Sequence, residues 1–333
     1  MKTYNLCLLG LGNVHRALLS LLTEKKPELR ARHGIEFRIT GVATRRIGWL
    51  AQPRGLNSDA LIAKHVDPTL LQTPSASNVR EWLAQAECDV LFEATSLDPE
   101  TGQPAIDYLR AALEHGAHAI TANKGPVVHA YRELGDLAAA KGKRFMFEST
   151  VMDGAPIFSL FRETLPAAHL LRFRGILNST TNFILGEIEN GNTFDEAVGR
   201  AQAIGIAETD PSADVDGWDA SVKVAALRTV LMDAPLKPQD VRREGIRELT
   251  PQAIRAARAE GKPYKLVCRA DRETASVRPE QIPLSDPLAN ASGTSSIVHF
   301  EMDVLPGLTI TEHNPGPVTT AYGMLADFVN AVT

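Results

Sequence analysis

The stretch Tyr4–Leu22, YNLCLLGLGNVHRALLSLL, decides the fold. Its first residues, Tyr4 to Leu9, are a short apolar run that reads as a buried strand. Gly10-Leu11-Gly12-Asn13-Val14-His15 follows, and RALLSLL then carries leucines at helical spacing. Strand, glycine turn and helix is the context that gives a glycine motif meaning. Gly10 permits the tight turn, and Gly12 lets a pyrophosphate approach the backbone. Asn13 and Val14 open a helix whose N-terminus offers N–H donors and the positive end of its dipole. His15 stands where a third glycine usually lets helix and strand pack closely, so it either widens that contact or brings an imidazole towards the phosphates.

Outward from this turn the pattern repeats. A polar stretch around Lys25–His33 separates the first helix from a second strand, Glu36–Thr44, which ends in Arg45-Arg46. An acid at this point would favour the ribose hydroxyls of NAD, whereas arginine accepts the 2′-phosphate of NADP. NADP is therefore the preferred cofactor, with NAD as the alternative. Residues 49–86 are less regular until a helical period over Ser77–Ala86. Strand Val90–Ala94 ends in Thr95-Ser96, at the strand edge where ligands of α/β sheets sit. A helix over Pro104–His115 stops at Gly116, and strand Ala117–Thr121 runs into a loop carrying Lys124. Helix Tyr131–Lys141 and strand Arg144–Glu148 complete this half.

Composition narrows the class. With 333 residues, 44% hydrophobic and 23% charged, the chain suits an ordinary globular protein of two domains. A formal net charge of −5 argues against a nucleic-acid surface. Three scattered cysteines without metal-ligand spacing point to a reduced, cytoplasmic setting. No signal segment and no apolar run of membrane-spanning length is evident, so neither membrane nor secretion is expected.

The second half holds the chemistry. Glu208–Leu227, ETDPSADVDGWDASVKVAAL, gathers Glu208, Asp210, Asp214, Asp216 and Asp219 ahead of and into an apolar helix. Asp219 and Lys223 lie on a stripe that continues as Ala226 and Val230, beside the core stripe Ala220, Val224, Leu227 and Leu231. A lysine with a buried stem can serve as a general acid or base. The plainer alternative is a solvated i,i+4 pair worth about 0.3–0.5 kcal/mol. Upstream, Gly175–Asn182 ends a strand in small polar side chains. There Asn178 and Thr180 suit either hydrogen bonding to a small polar substrate or the capped start of the next helix.

GLGNV, TANKGP, GILNSTTNFIL, AETDPSADVDGWDASVK and GPVTTAYGMLADF, in this order over nearly the whole chain, together resemble homoserine dehydrogenase. The resemblance implies an α/β fold. A Rossmann-type domain of residues 1–148 and 316–333 is completed by the C-terminal helix, and residues 149–315 form a central α+β substrate and dimerisation domain. It implies NAD(P)-dependent interconversion of L-homoserine and L-aspartate 4-semialdehyde by a homodimeric enzyme of aspartate-family amino-acid biosynthesis, which supplies threonine, methionine and isoleucine. Lys223 matches the family's proton donor and acceptor, and Lys124 a second lysine near the reacting oxygen and the nicotinamide. Glu208 and Asp219 match carboxylates at the substrate, and Asp214 of the same loop joins them as a candidate. Thr95, Gly205 and Gly316 match cofactor-contacting positions, with Ser96 beside the first. Glu148, Val151, Asp153 and Ala155 stand where the family holds a monovalent cation such as sodium. Met152-Asp153-Gly154 departs from the family's glycine run there, Ser179 replaces the glycine of its NGTTN run, and Asn314-Pro315-Gly316 replaces GAG.

In the family's reaction a hydride passes between the carbinol carbon and the nicotinamide while a base takes the hydroxyl proton. A lysine brought towards neutrality by desolvation and a cationic neighbour could take it. The departures at Met152-Asp153 and Ser179 leave a related dehydrogenase acting on another small semialdehyde, hydroxy acid or amino acid as the alternative. A non-catalytic NADP-binding sensor is the other, though it has no need of two site lysines. The chain is shorter than relatives with a regulatory amino-acid-binding domain, so threonine feedback through such a domain is not expected.

Overall fold

The computed structural model describes residues 1–63 and 76–333. They form two compact units, Met1–Pro156 with Gly316–Thr333, and Ile157–Pro315. The fold is mixed α/β, and each unit is built on its own sheet.

In the first unit β1 (Lys2–Leu9) leads through the glycine turn into α1 (Asn13–His33), followed by β2 (Ile35–Thr44) and β3 (Gly48–Ala51). The short α2 (Ser58–Ile62) and α3 (Val79–Gln85) precede β4 (Val90–Glu93), α4 (Ala105–His115), β5 (His118–Thr121), α5 (Lys124–Ala140) and β6 (Phe145–Met146). The sheet order is β3-β2-β1-β4-β5-β6. Every neighbouring pair is parallel except the β2–β3 hairpin. The parallel strands are nearly all apolar because helices cover both faces.

Three local expectations are corrected. The polar stretch Lys25–His33 is not a loop but the continuation of α1. Leu29 extends the buried line of Leu18 and Leu22 through Pro27, and the helix stops only at Gly34, in the left-handed conformation. Lys124 lies not in a loop but in the first turn of α5, because the Asn123 side chain accepts from Gly125 N and caps it; the helix expected from Tyr131 is the part of α5 beyond a kink at Ala130, φ −140°. The irregular stretch after Thr44 contains β3, whose four residues are too few to show a period.

The C-terminal helix, Pro317–Val332, packs beside α1 in the first unit. Phe328 meets the rings of Tyr4 and Phe92 edge-on, with centroids 5.8 and 5.9 Å apart, and the Tyr4 hydroxyl donates to the Val332 carbonyl. Buried Asp327 accepts from Glu148 N at 2.8 Å. A Cβ on Gly154 would lie 2.5 Å from the Thr319 carbonyl oxygen, so this close approach requires the glycine.

The second unit begins with the single turn α6 (Ile157–Ser159), then β7 (Leu170–Ile176), α7 (Ser179–Glu189), α8 (Phe194–Ala203), α9 (Ser212–Val215) and α10 (Trp218–Leu231). β8 (Arg242–Arg243), α11 (Pro251–Ala259), β9 (Tyr264–Asp271), β10 (Ala275–Gln281), β11 (Ser296–Met302) and β12 (Leu308–Glu312) follow. The sheet runs β12-β11-β7-β9-β10-β8, antiparallel except for the short β10–β8 pair. α10 lies on β9 and β10, and α7 on β9.

Candidate functional site

The nucleotide turn is built by opposing constraints on its two glycines. Gly10 has φ +94°, and a Cβ there would stand 2.7 Å from the Ala94 carbonyl oxygen. Its N–H donates to the Ala43 carbonyl at 2.8 Å, so the turn is fixed between β2 and β4. Gly12 is the residue before α1, and nothing lies within 4 Å of where its Cβ would be. That open space lies over the unpaired N–H groups of the helix start.

These residues open a cleft of about 490 Å³, whose walls include Gly10, Gly12, Arg45, Thr95, Trp49 and Tyr108. Ser96 also lines it. Asn13 and Val14 begin α1 at its edge. Arg46 is exposed and is not part of the wall, so only one arginine of the pair faces the cleft. Gly316 belongs to this unit but heads the C-terminal helix, where its N–H donates to Thr319 Oγ1. Lys124 is the first residue of α5, at the end of β5.

His15 is fully buried, and its Nδ1 hydrogen-bonds the Gly10 carbonyl at 2.8 Å. The imidazole thus lies under the turn and braces it, rather than meeting phosphates. Nε2 is buried without a hydrogen-bonding partner, and desolvation pushes the pKa down to about 4. This carries a stability consequence. As pH falls below the usual value near 6.5, the unfolded chain binds a proton that the folded one refuses until about 4. Stability should therefore fall by about 3 kcal/mol across that window and be unaffected by this group above it. His15→Gln should flatten that part of a stability-versus-pH curve from urea titrations; an unchanged slope would refute the assignment.

Glu93 gave no signal beyond an acid ending an apolar run. It is completely buried and accepts from Thr95 N at 2.7 Å and from Thr121 Oγ1 at 2.6 Å, tying the ends of β4 and β5. Burial raises its pKa, while the Thr121 and Thr95 donors oppose the rise. Thr121 Oγ1 in turn accepts from Asn123 N, the residue that caps α5 ahead of Lys124.

The second unit gathers its charges where β7 ends. Leu177 and Asn178 join β7 to α7, and Asn178 Oδ1 caps α7 by accepting from Thr181 N. The Leu177 carbonyl accepts from Lys223 Nζ at 2.6 Å, and Asp219 Oδ2 lies 3.0 Å from the same nitrogen. Asn178 Nδ2 donates to Asp219 Oδ2 at 3.0 Å and to Asp214 Oδ1 at 2.6 Å. One amide and one ammonium therefore hold two carboxylates together. Burial raises the Asp214 pKa, and the nearby Asp219 charge raises it further.

Asp219 and Lys223 are not a solvated surface pair: their side chains are 21% and 16% exposed. Ala220, Val222, Val224, Ala225, Ala226 and Leu227 of the same helix are buried, so α10 is apolar on nearly every side. An acid and a backbone carbonyl are thus among the partners of the Lys223 ammonium. Cys268 on β9 also adjoins the pair; burial pushes its thiol up to about 12, so it stays protonated.

Thr180 adjoins this cluster, its side-chain hydrogen bond to Asp214 opposing the rise in that carboxyl's pKa. Glu208 is exposed in the loop after α8, where its carbonyl accepts from Gln202 Nε2. Thr180 Oγ1 donates to the Ile206 carbonyl, fastening α7 to that loop. Gly205 is exposed with φ +79° and ends α8. Asp210 accepts from Ser212 N, and Asp216 pairs with Arg247 at 2.9 Å, so both shape the loop.

In the first unit, Glu148 is buried and Val151, Asp153 and Ala155 follow in a tight turn. Asp153 has φ +41°, and its carboxylate accepts from Thr319 Oγ1 at 3.0 Å. Its side chain therefore fastens the turn to the C-terminal helix. Among the described residues no group of three His, Cys, Asp or Glu side chains forms a metal cluster. No helix among them is long and apolar enough to cross a membrane.

Comparison with known proteins agrees with this architecture. Residues 10–148 match the family described as "Homoserine dehydrogenase, NAD binding domain", and residues 156–329 match "Homoserine dehydrogenase". The chain is 35% identical over 339 residues to the NAD(+)-dependent homoserine dehydrogenase of Pseudomonas canavaninivorans, covering 99% of this chain and 96% of that one. It is 33% identical over 325 residues to the homoserine dehydrogenase of Sulfurisphaera tokodaii, covering 97% of each. A hyperthermophilic archaeal homoserine dehydrogenase solved in complex with NADPH superposes with a TM-score of 0.83 at 28% identity, covering 99% of this chain and 98% of that one. A nucleotide cleft on one sheet, a buried lysine–carboxylate cluster on the other and these full-length matches establish that the chain belongs to the homoserine dehydrogenase family of NAD(P)-dependent oxidoreductases.

Proposed function

We propose that this protein interconverts L-homoserine and L-aspartate 4-semialdehyde, with the Met1–Pro156 and Gly316–Thr333 unit holding the dinucleotide and the Ile157–Pro315 unit the amino acid. The observation that carries the reading is the Lys223 ammonium, held between the Leu177 carbonyl and Asp219. In the reducing direction a bound reduced nicotinamide would supply the hydride to the aldehyde carbon, while the Lys223 ammonium polarises the carbonyl and gives its proton to the alkoxide that forms. Oxidation of homoserine requires the neutral amine, which accounts for an expected preference for alkaline pH in that direction. Two carboxylates against one ammonium leave the cluster anionic, which suits the α-ammonium of the substrate. Asn178 and Thr180 position this site. Glu208, which resembles the family's ammonium contact, would join it from its exposed loop. Lys124 and Gly205 enter the proposal through the resemblance.

The oxygen donors at Glu148, Val151, Asp153 and Ala155 fit a hard monovalent cation, one buried carboxylate and backbone carbonyls being its ordinary ligands. Such an ion would stiffen the turn that meets the C-terminal helix. The resemblance also supports a homodimer and a biosynthetic role in the cytoplasm.

The deciding experiment is homoserine-dependent reduction of NAD and of NADP by the purified protein at alkaline pH. Turnover with an analogue but none with homoserine would favour the related-dehydrogenase alternative. Arg45, the arginine lining the cleft, is assigned to the 2′-phosphate. Arg45→Ala should weaken NADP about 10- to 100-fold and leave NAD nearly unchanged, by the worth of a charge-assisted hydrogen bond. Equal loss for both cofactors would remove Arg45 from that role.

A further inference from the structure

We propose that Trp49 and Tyr108 form the aromatic wall on which the adenine ring of the dinucleotide stacks. This rests on the reading of the cleft as a dinucleotide site. Besides the glycine turn and Arg45, the cleft is lined by Gly48, Trp49, Pro104 and Tyr108, none of which is charged. The lining divides by the chemistry of the ligand. Backbone N–H groups at Gly12 meet the pyrophosphate and a guanidinium meets the ribose side, while rings alone remain for the base.

The wall is a built feature. Trp49 sits on β3 directly across from Ala43 of β2, so the hairpin fixes its position. Behind it stands fully buried Trp82, 5.5 Å away between centroids, whose Nε1 donates to the Leu50 carbonyl at 2.8 Å. Tyr108, on the first turns of α4, meets Trp49 at 5.8 Å and 73°. Trp49 and Tyr108 themselves are only half-buried, each keeping ring surface open to the cleft. A purine offers a flat π surface of matching size, and stacking tolerates either cofactor because the base is common to both.

Calorimetric titration with NADP, NAD and ADP tests this, using the wild type, Trp49→Leu, Trp49→Phe and Tyr108→Leu. Each leucine variant should bind all three ligands about 10- to 100-fold more weakly, by the same factor for NAD as for NADP, with Trp49→Phe close to wild type. The kinetic preference for NADPH over reduced nicotinamide mononucleotide, which lacks the adenylate half, should shrink by that factor. Leucine variants that fold, judged by thermal melting, yet bind ADP like the wild type overturn the wall. If Trp49→Leu fails to fold, Tyr108→Leu decides alone, since its ring lies on a helix surface. A wild type that binds neither NADP nor NAD would instead overturn the dinucleotide reading beneath it.

Discussion

Lys223→Met should lower homoserine turnover by about 10²–10⁴-fold, the usual worth of a positioned general acid or base. Methionine keeps the apolar stem between buried neighbours of α10, so the loss falls on the ammonium. The loss should appear in kcat, while NADP affinity measured by calorimetry stays near wild type, because the nucleotide cleft is lined by first-unit residues. Removing the ammonium also takes away a positive charge beside Asp219 and Asp214, which the Asn178 amide still joins. The two acids should then hold a proton to higher pH, and residual activity should follow a pH profile displaced from that of the wild type. Retention of more than about a tenth of wild-type kcat would remove Lys223 from the chemistry.

Gly10→Ala and Gly12→Ala should fail in opposite ways. At Gly10 the added methyl meets the Ala94 carbonyl oxygen, and φ +94° is unsuited to an L side chain. The backbone cannot retreat, since its N–H is held by Ala43 and its carbonyl by His15. About 2–5 kcal/mol of stability should be lost, the sum of left-handed strain and overpacking. At Gly12 the methyl enters open space at φ −83°, so the melting temperature should hardly move. NADP affinity should nevertheless fall at least about tenfold, because the methyl occupies the approach of the pyrophosphate. Loss of stability in Gly12→Ala, or normal stability in Gly10→Ala, would contradict this division of labour between the two glycines.

The contrast also shows what could be read in advance. Strand, GxG and helix are adjacent in sequence, so their geometry is local and was legible. So was the pairing of Asp219 with Lys223, one helical turn apart. The partners that complete the cluster were not legible as partners. Leu177 offers only a backbone carbonyl, and Asn178 was readable as a cap without any sign that its amide also reaches Asp214 and Asp219. Glu93 is not legible in the sequence, because its importance lies in burial and in a bond to Thr121, a neighbour made by the parallel pairing of β4 with β5. Lys124 reads as a loop residue in the sequence but is the first residue of α5, which Gly125 and Pro126 continue. Proline is well tolerated in a first helical turn, where its missing N–H has no partner to lose. His15 was the opposite case: an odd residue in a known motif, whose orientation only the packing of α1 could reveal.

The C-terminal helix gives the molecule an order of assembly. Residues 157–315 form a unit contiguous in the chain, whereas the nucleotide-binding sheet needs Phe328 and Asp327 to close over Tyr4, Phe92 and Glu148. On the ribosome, the second unit is made in full before Pro317–Val332 emerges. At ~5–20 residues per second that leaves the first sheet unfinished for roughly 10–30 s, with the apolar surface around Phe92 open. The nucleotide-binding sheet can therefore be completed only after Pro317–Val332 has been synthesised.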